Sequence, residues 1–258
     1  MGGVEIAPTK WRERPLEASA GDIAAYRRTW EEHGLRVVAL QALLFGQPEL
    51  QLLGGATGRQ TMLDYLRRMA DLGASLGATA LVFGSPKNRI RGSLPLDDAR
   101  AVASEFLRAL GHHCATRGTV MCLEANPPEY GGDFITTTDE AVELCRLVDH
   151  PGIRVNGDLG GMTIAGEDVR RAIERAAPVL GHFHASEPHL SAPGAGADHA
   201  AAAASLRATG YDGWVSIEMR AVGVDGNVAA IEHAIRRVRS SYSGFTADLG
   251  AGFRGMRL

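Results

Sequence analysis

Four short apolar runs in this chain carry residues that cost free energy to bury. Val120-Met121-Cys122-Leu123-Glu124 closes on a carboxylate, Ile153-Arg154-Val155-Asn156-Gly157-Asp158 on a second, and Trp214-Val215-Ser216-Ile217-Glu218 on a third. Gly181-His182-Phe183-His184 carries two imidazoles two residues apart, which on a strand puts both on one face. Three carboxylates gathered at one place repel each other and lose hydration unless a positive charge joins them. One divalent cation held by Glu124, Asp158, His184 and Glu218 meets that need. Mixed carboxylate and imidazole donors suit Mn2+, the first choice here, and also Co2+, Fe2+ or Zn2+, while the oxygen-rich set admits Mg2+. Singly, each residue has a plainer explanation, a loop-side salt bridge for a strand-end Glu or a satisfied core position for a His. Four of them on four consecutive strand ends favour the metal.

The elements that must position these residues are legible as alternating patterns. Strand candidates, brief and rich in Val, Ile, Leu or Phe as strands buried on both faces should be, are Gly3–Ala7, Arg36–Leu43, Ala78–Gly84, Thr119–Asn126, Ile153–Leu159, Gly181–Ser186 and Trp214–Met219. Amphipathic stretches follow each: Gly21–His33, Thr61–Leu76, Leu96–Arg117, Thr137–Val148, Val169–Leu180, His199–Ala208 and Asn227–Tyr242. Thr137-Thr138-Asp139-Glu140 supplies a side-chain cap and acidic residues at a helix start. Gly34, Gly77, Gly118 and Gly210 lie where helices should end. Strand–helix repetition implies a parallel sheet, because each crossover must pass over one face. No GxGxxG or GxxxxGK[ST] phosphate loop follows any strand, which argues against a doubly wound nucleotide-binding sheet. Seven units approach the eight of a (β/α) TIM barrel, whose strands all end at the face where barrel enzymes keep their chemistry.

Composition narrows the class. The 258 residues carry a formal net charge of −3 and a pI near 6.3, so no basic excess points to nucleic acid or a membrane surface. Cys114, Cys122 and Cys145 are an odd number with no close pair, which suits a reducing compartment. No apolar run approaches the roughly 20 residues of a membrane span, and the start shows no secretory pattern. A cytoplasmic protein without nucleic-acid or membrane partners is expected. Among weaker candidates, Lys87, Arg89 and Arg91 follow a strand and could neutralise an anionic substrate, and Gln41 could bond a hydroxyl.

The chain resembles the sugar phosphate isomerase/epimerase family, the xylose-isomerase-like barrels. The similarity runs from Val4-Glu5-Ile6-Ala7-Pro8-Thr9-Lys10 to about Tyr242 and is most specific in Leu81–Arg89, Glu124-Ala125-Asn126-Pro127, Asp133-Phe134-Ile135-Thr136-Thr137, His182-Phe183-His184 and Gly210–Met219. It implies the same four metal ligands, with Glu124 and Glu218 doubling as an acid/base pair that moves a carbon-bound proton beside a carbonyl. It further implies a sugar or sugar-like polyol as substrate; Gln41, Lys87, Asn126, His182, His189 and Arg220 are the candidate substrate-binding residues. The alternative is a carbon–oxygen lyase, an inosose- or dehydroshikimate-type dehydratase, on the same site. Two departures keep the alternative alive. Gly161 stands where many ketose epimerases have a substrate-contacting His, and His189 is the only basic candidate where they place an Arg soon after the metal-binding His. A third departure is that the chain begins at what resembles the second strand, so the first βα unit is expected to be missing. The expected organisation is one barrel over residues 1–242 with a tail at 243–258 that could cover the gap, and the exposed strand edges predict a homodimer.

Overall fold

A computed structural model of the chain describes residues 2–194, 196–223 and 225–242. Strands and helices alternate through them: β1 (Gly3–Ile6), α1 (Pro8–Trp11), α2 (Ala20–Glu32), β2 (Arg36–Leu40), α3 (Ala56–Leu76), β3 (Ala80–Phe83), α4 (Leu96–Thr116), β4 (Val120–Glu124), α5 (Thr138–Val148), β5 (Ile153–Asp158), α6 (Leu159–Ile164), α7 (Val169–Ala176), β6 (Leu180–Ser186), α8 (His199–Ala208), β7 (Val215–Glu218) and α9 (Asn227–Ser241). All seven expected strands and helices are present, with shifted ends. β2 stops at Leu40 because Ala42 takes a left-handed φ of 52° and leaves the ladder. The helix expected to reach Leu180 ends at Ala176, where Pro178, lacking an N–H, sits in a 3-10 turn before β6. α1 and α6 were not anticipated; both are too short to show a hydrophobic period.

Local chemistry starts several helices. Ser19 and Asp22 form a reciprocal capping box at α2 (3.1 and 3.0 Å). Thr137 Oγ1 accepts the Glu140 N–H at the start of α5, as its sequence suggested. At the other end of α3, Gly77 turns the chain with φ 94°.

The strands form one parallel sheet in sequence order, β1 to β7, and curl into a nearly closed seven-stranded barrel. β1 and β7 are its two edges. Side chains still cross the seam: Glu5 of β1 reaches His182 and His184 of β6, and Arg36 lies 5.5 Å over the Trp214 ring. The tail, which could cover this gap or a neighbouring subunit, lies outside the described residues.

Alternation along the strands sorts the two faces. Met121, Leu123 and Val155 point outward into the large apolar layer under the helices, whereas Val38, Ala80, Val120 and Cys122 fill the barrel floor with Trp214. All three cysteines are free and buried, and burial pushes the Cys114 thiol up to about 11, so none is a ready ligand. No helix of the described residues is long and apolar enough to cross a membrane.

Candidate metal centre

Strand register alone assembles the cluster. Glu124 pairs across β4–β5 with Asn156, Asp158 pairs across β5–β6 with His184, and Ser216 and Glu218 on β7 pair with His184 and Ser186. The β5–β6 register slips by one residue after Val155, and the spare position is Gly181, where a Cβ would come within 2.6 Å of Arg154. That slip sets both His182 and His184 into the barrel beside Asn156 and Asp158.

His184 Nδ1 lies 3.0 Å from Glu218 Oε2, 3.4 Å from Glu124 Oε1 and 3.7 Å from Asp158 Oδ2. One donor atom from each of the four residues falls within 4.8 Å of the others. Donors roughly 2.1 Å from one ion stand about 3–3.4 Å apart, so the spacing and chemistry of this set fit a divalent cation. The four residues anticipated from strand ends are therefore brought together.

Groups outside the cluster brace two of the candidate carboxylate ligands. Asn156 Nδ2 and Asn126 Nδ2 donate to the two oxygens of Glu124 (2.7 and 2.9 Å). Asp158 receives the Gly161 N–H at 2.6 Å, which caps α6, and the Ser186 hydroxyl. The glycine in place of a histidine at 161 thus faces Asp158 through its backbone. Gly84 is the tightest point: a Cβ there would collide with Glu124 Oε2. We expect Gly84→Ala to push Glu124 aside and weaken metal binding roughly 10–100-fold, read by metal titration, with the circular dichroism spectrum unchanged.

Sequence reasoning missed Glu5. Its buried carboxylate accepts from His184 Nε2 at 2.9 Å and from His182 Nε2 at 2.8 Å. With the Nε2 proton committed to Glu5, Nδ1 is the atom of His184 that faces the three carboxylates; it carries a proton in the metal-free cluster and would offer its lone pair once a cation displaced that proton. The available signal was a charge inside the first strand, the same signal that flagged the other four.

Electrostatics follow from this packing. Burial pushes the Asp158 carboxyl up to about 7, and the charges of Glu124 and Glu218 add to it. Burial also opposes ionisation of Glu124, but the His184 hydrogen bond and charge, with the two asparagine amides, outweigh it and hold that carboxyl below its ordinary value. His184 behaves in the same way with opposite sign: burial lowers its pKa, and the charges of Glu5 and Glu218 carry it well above the usual imidazole range.

A cleft of about 580 Å3 opens beside the cluster between the loops that follow β2, β3 and β4. Of the four candidate ligands, Glu124 and Glu218 line it. Gln41, Lys87 and Asn126, three of the candidate substrate-binding residues, line it too. His182 does not: it is fully buried under the cluster, bonded to Glu5 and Ser216 (3.1 Å). His189 is exposed at the rim, its backbone N–H 3.2 Å from the Tyr130 hydroxyl. Arg220 is exposed beyond β7, its N–H bonded to Leu190 O. Arg89 corrects the expectation of an anion-neutralising cation. It is completely buried, and its guanidinium donates to the carbonyls of Gly84, Glu124 (2.7 Å) and Phe134 (3.0 Å) and to Asn126 Oδ1 (2.8 Å). It therefore stitches the ends of β3 and β4 to the loop after β4. Arg91 is likewise engaged with Leu94 O.

Comparison with known proteins agrees with this architecture. The chain is 29% identical over 166 residues to 3-dehydro-D-guloside 4-epimerase of Escherichia coli, an alignment covering 61% of the chain and 63% of that relative. The structure superposes on 3-keto-D-glucoside 4-epimerase from E. coli with a TM-score of 0.77 at 24% identity, covering 93% of this chain and 89% of the other. It also superposes on the IOLI protein, whose crystal structure holds a zinc atom, with a TM-score of 0.73 at 18% identity, covering 94% and 90%. The family model described as xylose isomerase-like TIM barrel matches residues 1–241, and the chain belongs to that family.

Proposed function

We propose that this protein is a metal-dependent epimerase of a keto sugar, inverting a carbinol carbon next to a carbonyl. The observation that carries the reading is that Glu124 and Glu218, alone among the four clustered ligands, also line the cleft. Asp158 and His184 sit deeper and serve the cation. A bound divalent cation would polarise the carbonyl and its neighbouring hydroxyl, making the carbon-bound proton more acidic.

The chain's own groups do the proton work. Glu124, a carboxylate held in place by the Asn126 and Asn156 amides, would serve as the base. Glu218 comes from β7, on the far side of β5 and β6, so the two carboxylates address a carbon from different directions. One removes the proton and the other returns one to the opposite face. Gln41 and Asn126 supply hydrogen bonds to hydroxyls, and Lys87 presents a cation over the cleft. The sugar epimerases among the relatives support this class of chemistry, and the zinc-holding neighbour supports a divalent metal. Mn2+ remains the first choice from the oxygen-rich donor set.

The test is proton exchange. Incubated in D2O with Mn2+ and a panel of ketohexoses and 3-keto glucosides, the enzyme should place deuterium on the carbon beside the carbonyl of at least one and yield an epimer of equal mass. No exchange across the panel with metal demonstrably bound removes the reading, and a water-depleted product moves it to a lyase. Metal uptake should also release protons, because Asp158 titrates near 7 and His184 above its usual range. Affinity should therefore rise with pH through neutrality, as a titration in lightly buffered solution would record.

A further inference from the structure

The cleft is lined by more than the candidate site residues. Besides Glu124, Glu218, Asn126 and Gln41, its lining includes Leu44, Phe45, Pro48 and Lys87 from the loops after β2 and β3; we term the first group the inner limb and the second the outer limb. A volume of about 580 Å3 lies in the range that takes drug-sized ligands rather than one sugar ring.

The outer wall is a built platform. Leu43, Leu44, Leu50 and Leu52 are buried at 1–4% exposure, while Phe45 between them is 63% exposed. The loop is anchored before Phe45 by the Gln41 N–H on Ile6 O (3.0 Å) and after it by the segment that follows β3. Asn88 Nδ2 donates to Gln47 O and Leu50 O, both at 2.7 Å, and Asn88 O accepts from Leu52 N at 2.8 Å. Gln51 Nε2 reaches across to Lys87 O at 3.0 Å. The turn itself closes with Phe45 N on Ala42 O, and Ala42 holds the left-handed φ of 52°, a conformation that persists in a non-glycine residue only where the surroundings enforce it. A rigid, strained loop is holding an aromatic face in water at the edge of the cleft. Burying that face against an apolar ring surface is the favourable change left open to it. Lys87 is the sole ionisable residue on this limb among the lining residues described, so nothing there selects for a cationic ligand.

We propose that the outer limb is a second subsite that takes the ring substituent of an O-substituted sugar, an aryl aglycone or second sugar ring stacked on Phe45, so that the substrate class is keto glycosides rather than free ketoses. This rests on the epimerase reading for what happens at the inner limb, but the subsite makes its own prediction about binding.

The experiment compares methyl β-D-glucopyranoside with phenyl β-D-glucopyranoside, neither of which has a carbonyl to turn over, by calorimetric titration of the metal-loaded full chain. The phenyl glycoside should bind about tenfold tighter or more, the scale of one good aromatic contact. Phe45→Ala should shrink that preference to within about twofold, and Phe45→Trp, which keeps a stacking face, should retain it. Unchanged melting temperature and metal content show that the variants are folded. Equal binding of the two glycosides, no binding of either up to their solubility, or a preference that survives Phe45→Ala overturns the subsite. A Phe45→Ala chain that changes oligomeric state does so too, assigning Phe45 to a contact between copies. Deuterium exchange by the wild type, run in parallel, separates the two ideas. Exchange without a phenyl preference sinks the subsite alone. A phenyl preference without exchange on any keto sugar sinks the epimerase reading and leaves a glycoside-binding cleft.

Discussion

Metal-loaded Glu124→Gln and Glu218→Gln should each lose turnover by roughly 10²–10⁴-fold, the usual contribution of a positioned general base or acid. Glutamine keeps the shape of the side chain and one oxygen for the cation, so the variant removes the proton acceptor with least disturbance to the cluster. The two ends of the exchange should fail differently. A variant lacking the base loses deuterium uptake and epimerisation together. A variant lacking the returning acid can still abstract a proton, so exchange on the starting sugar outlives epimer formation, and the ratio of the two rates tells which glutamate does which job. Asp158→Asn and His184→Asn should behave unlike either. These residues sit behind the cleft, with Asp158 tied to Gly161 and Ser186 and His184 to Glu5. Their variants should lose metal first and recover part of the activity at high metal concentration. Metal content by mass spectrometry, measured beside kcat, separates the classes. Near wild-type turnover by a metal-loaded chain carrying both glutamine substitutions would end the two-carboxylate mechanism.

How far this site could be read in advance depended on what each residue violates. A carboxylate or imidazole at the end of an apolar strand breaks the pattern of its own segment, and Glu124, Asp158, His184 and Glu218 were legible for that reason. Parallel strands then carry such residues to one rim without further information, which is why the fold and the candidate cluster came together. Residues that act through partners distant in the chain gave no such signal. Arg89 sits in a run with Lys87 and Arg91, and nothing local says that one of the three disappears into the interior to bind carbonyls from three segments. His182 and His184 share a face by alternation, yet depth along the barrel separates them: one belongs to the cluster and the other to the layer beneath. Gly84 is a strand-end glycine like several others until Glu124 is placed against it. Glu5 did violate the pattern of its strand, but a four-residue strand at the start of a chain offers too little context to weigh one charge. Its role needs the barrel to curl until β1 faces β6, a contact between residues 177 and 179 positions apart.

That contact carries the second large effect. Removing the Glu5 carboxylate leaves His184 Nε2 facing a buried space and His182 Nε2 with the Ser216 hydroxyl alone, and an unpaired buried polar group costs about 1–3 kcal/mol. Glu5→Ala should therefore destabilise the fold and weaken metal binding at the same time, the latter by roughly 10–100-fold as expected for the partner of a ligating histidine. Glu5→Gln separates these effects. Its amide oxygen can accept from one imidazole, but its NH2 meets the other as a second donor, so the fold recovers more than the metal affinity does. Chelator-treated protein supplies an independent readout. Although burial opposes it, the charges of His184 and His182 hold the Glu5 carboxyl well below its ordinary value of 4.5. A carboxyl with a depressed folded pKa stabilises the fold fully above the unfolded value and loses that contribution as pH falls through the folded one. The gap in melting temperature between wild type and Glu5→Gln should accordingly be widest near neutral pH and close in acid, below pH 4.5. A merely space-filling Glu5 predicts neither the pH-dependent gap nor the split between Ala and Gln in metal affinity. Wild-type metal binding by Glu5→Ala, or a melting gap that stays constant from neutral pH to pH 3, would show that His184 is oriented by something other than Glu5.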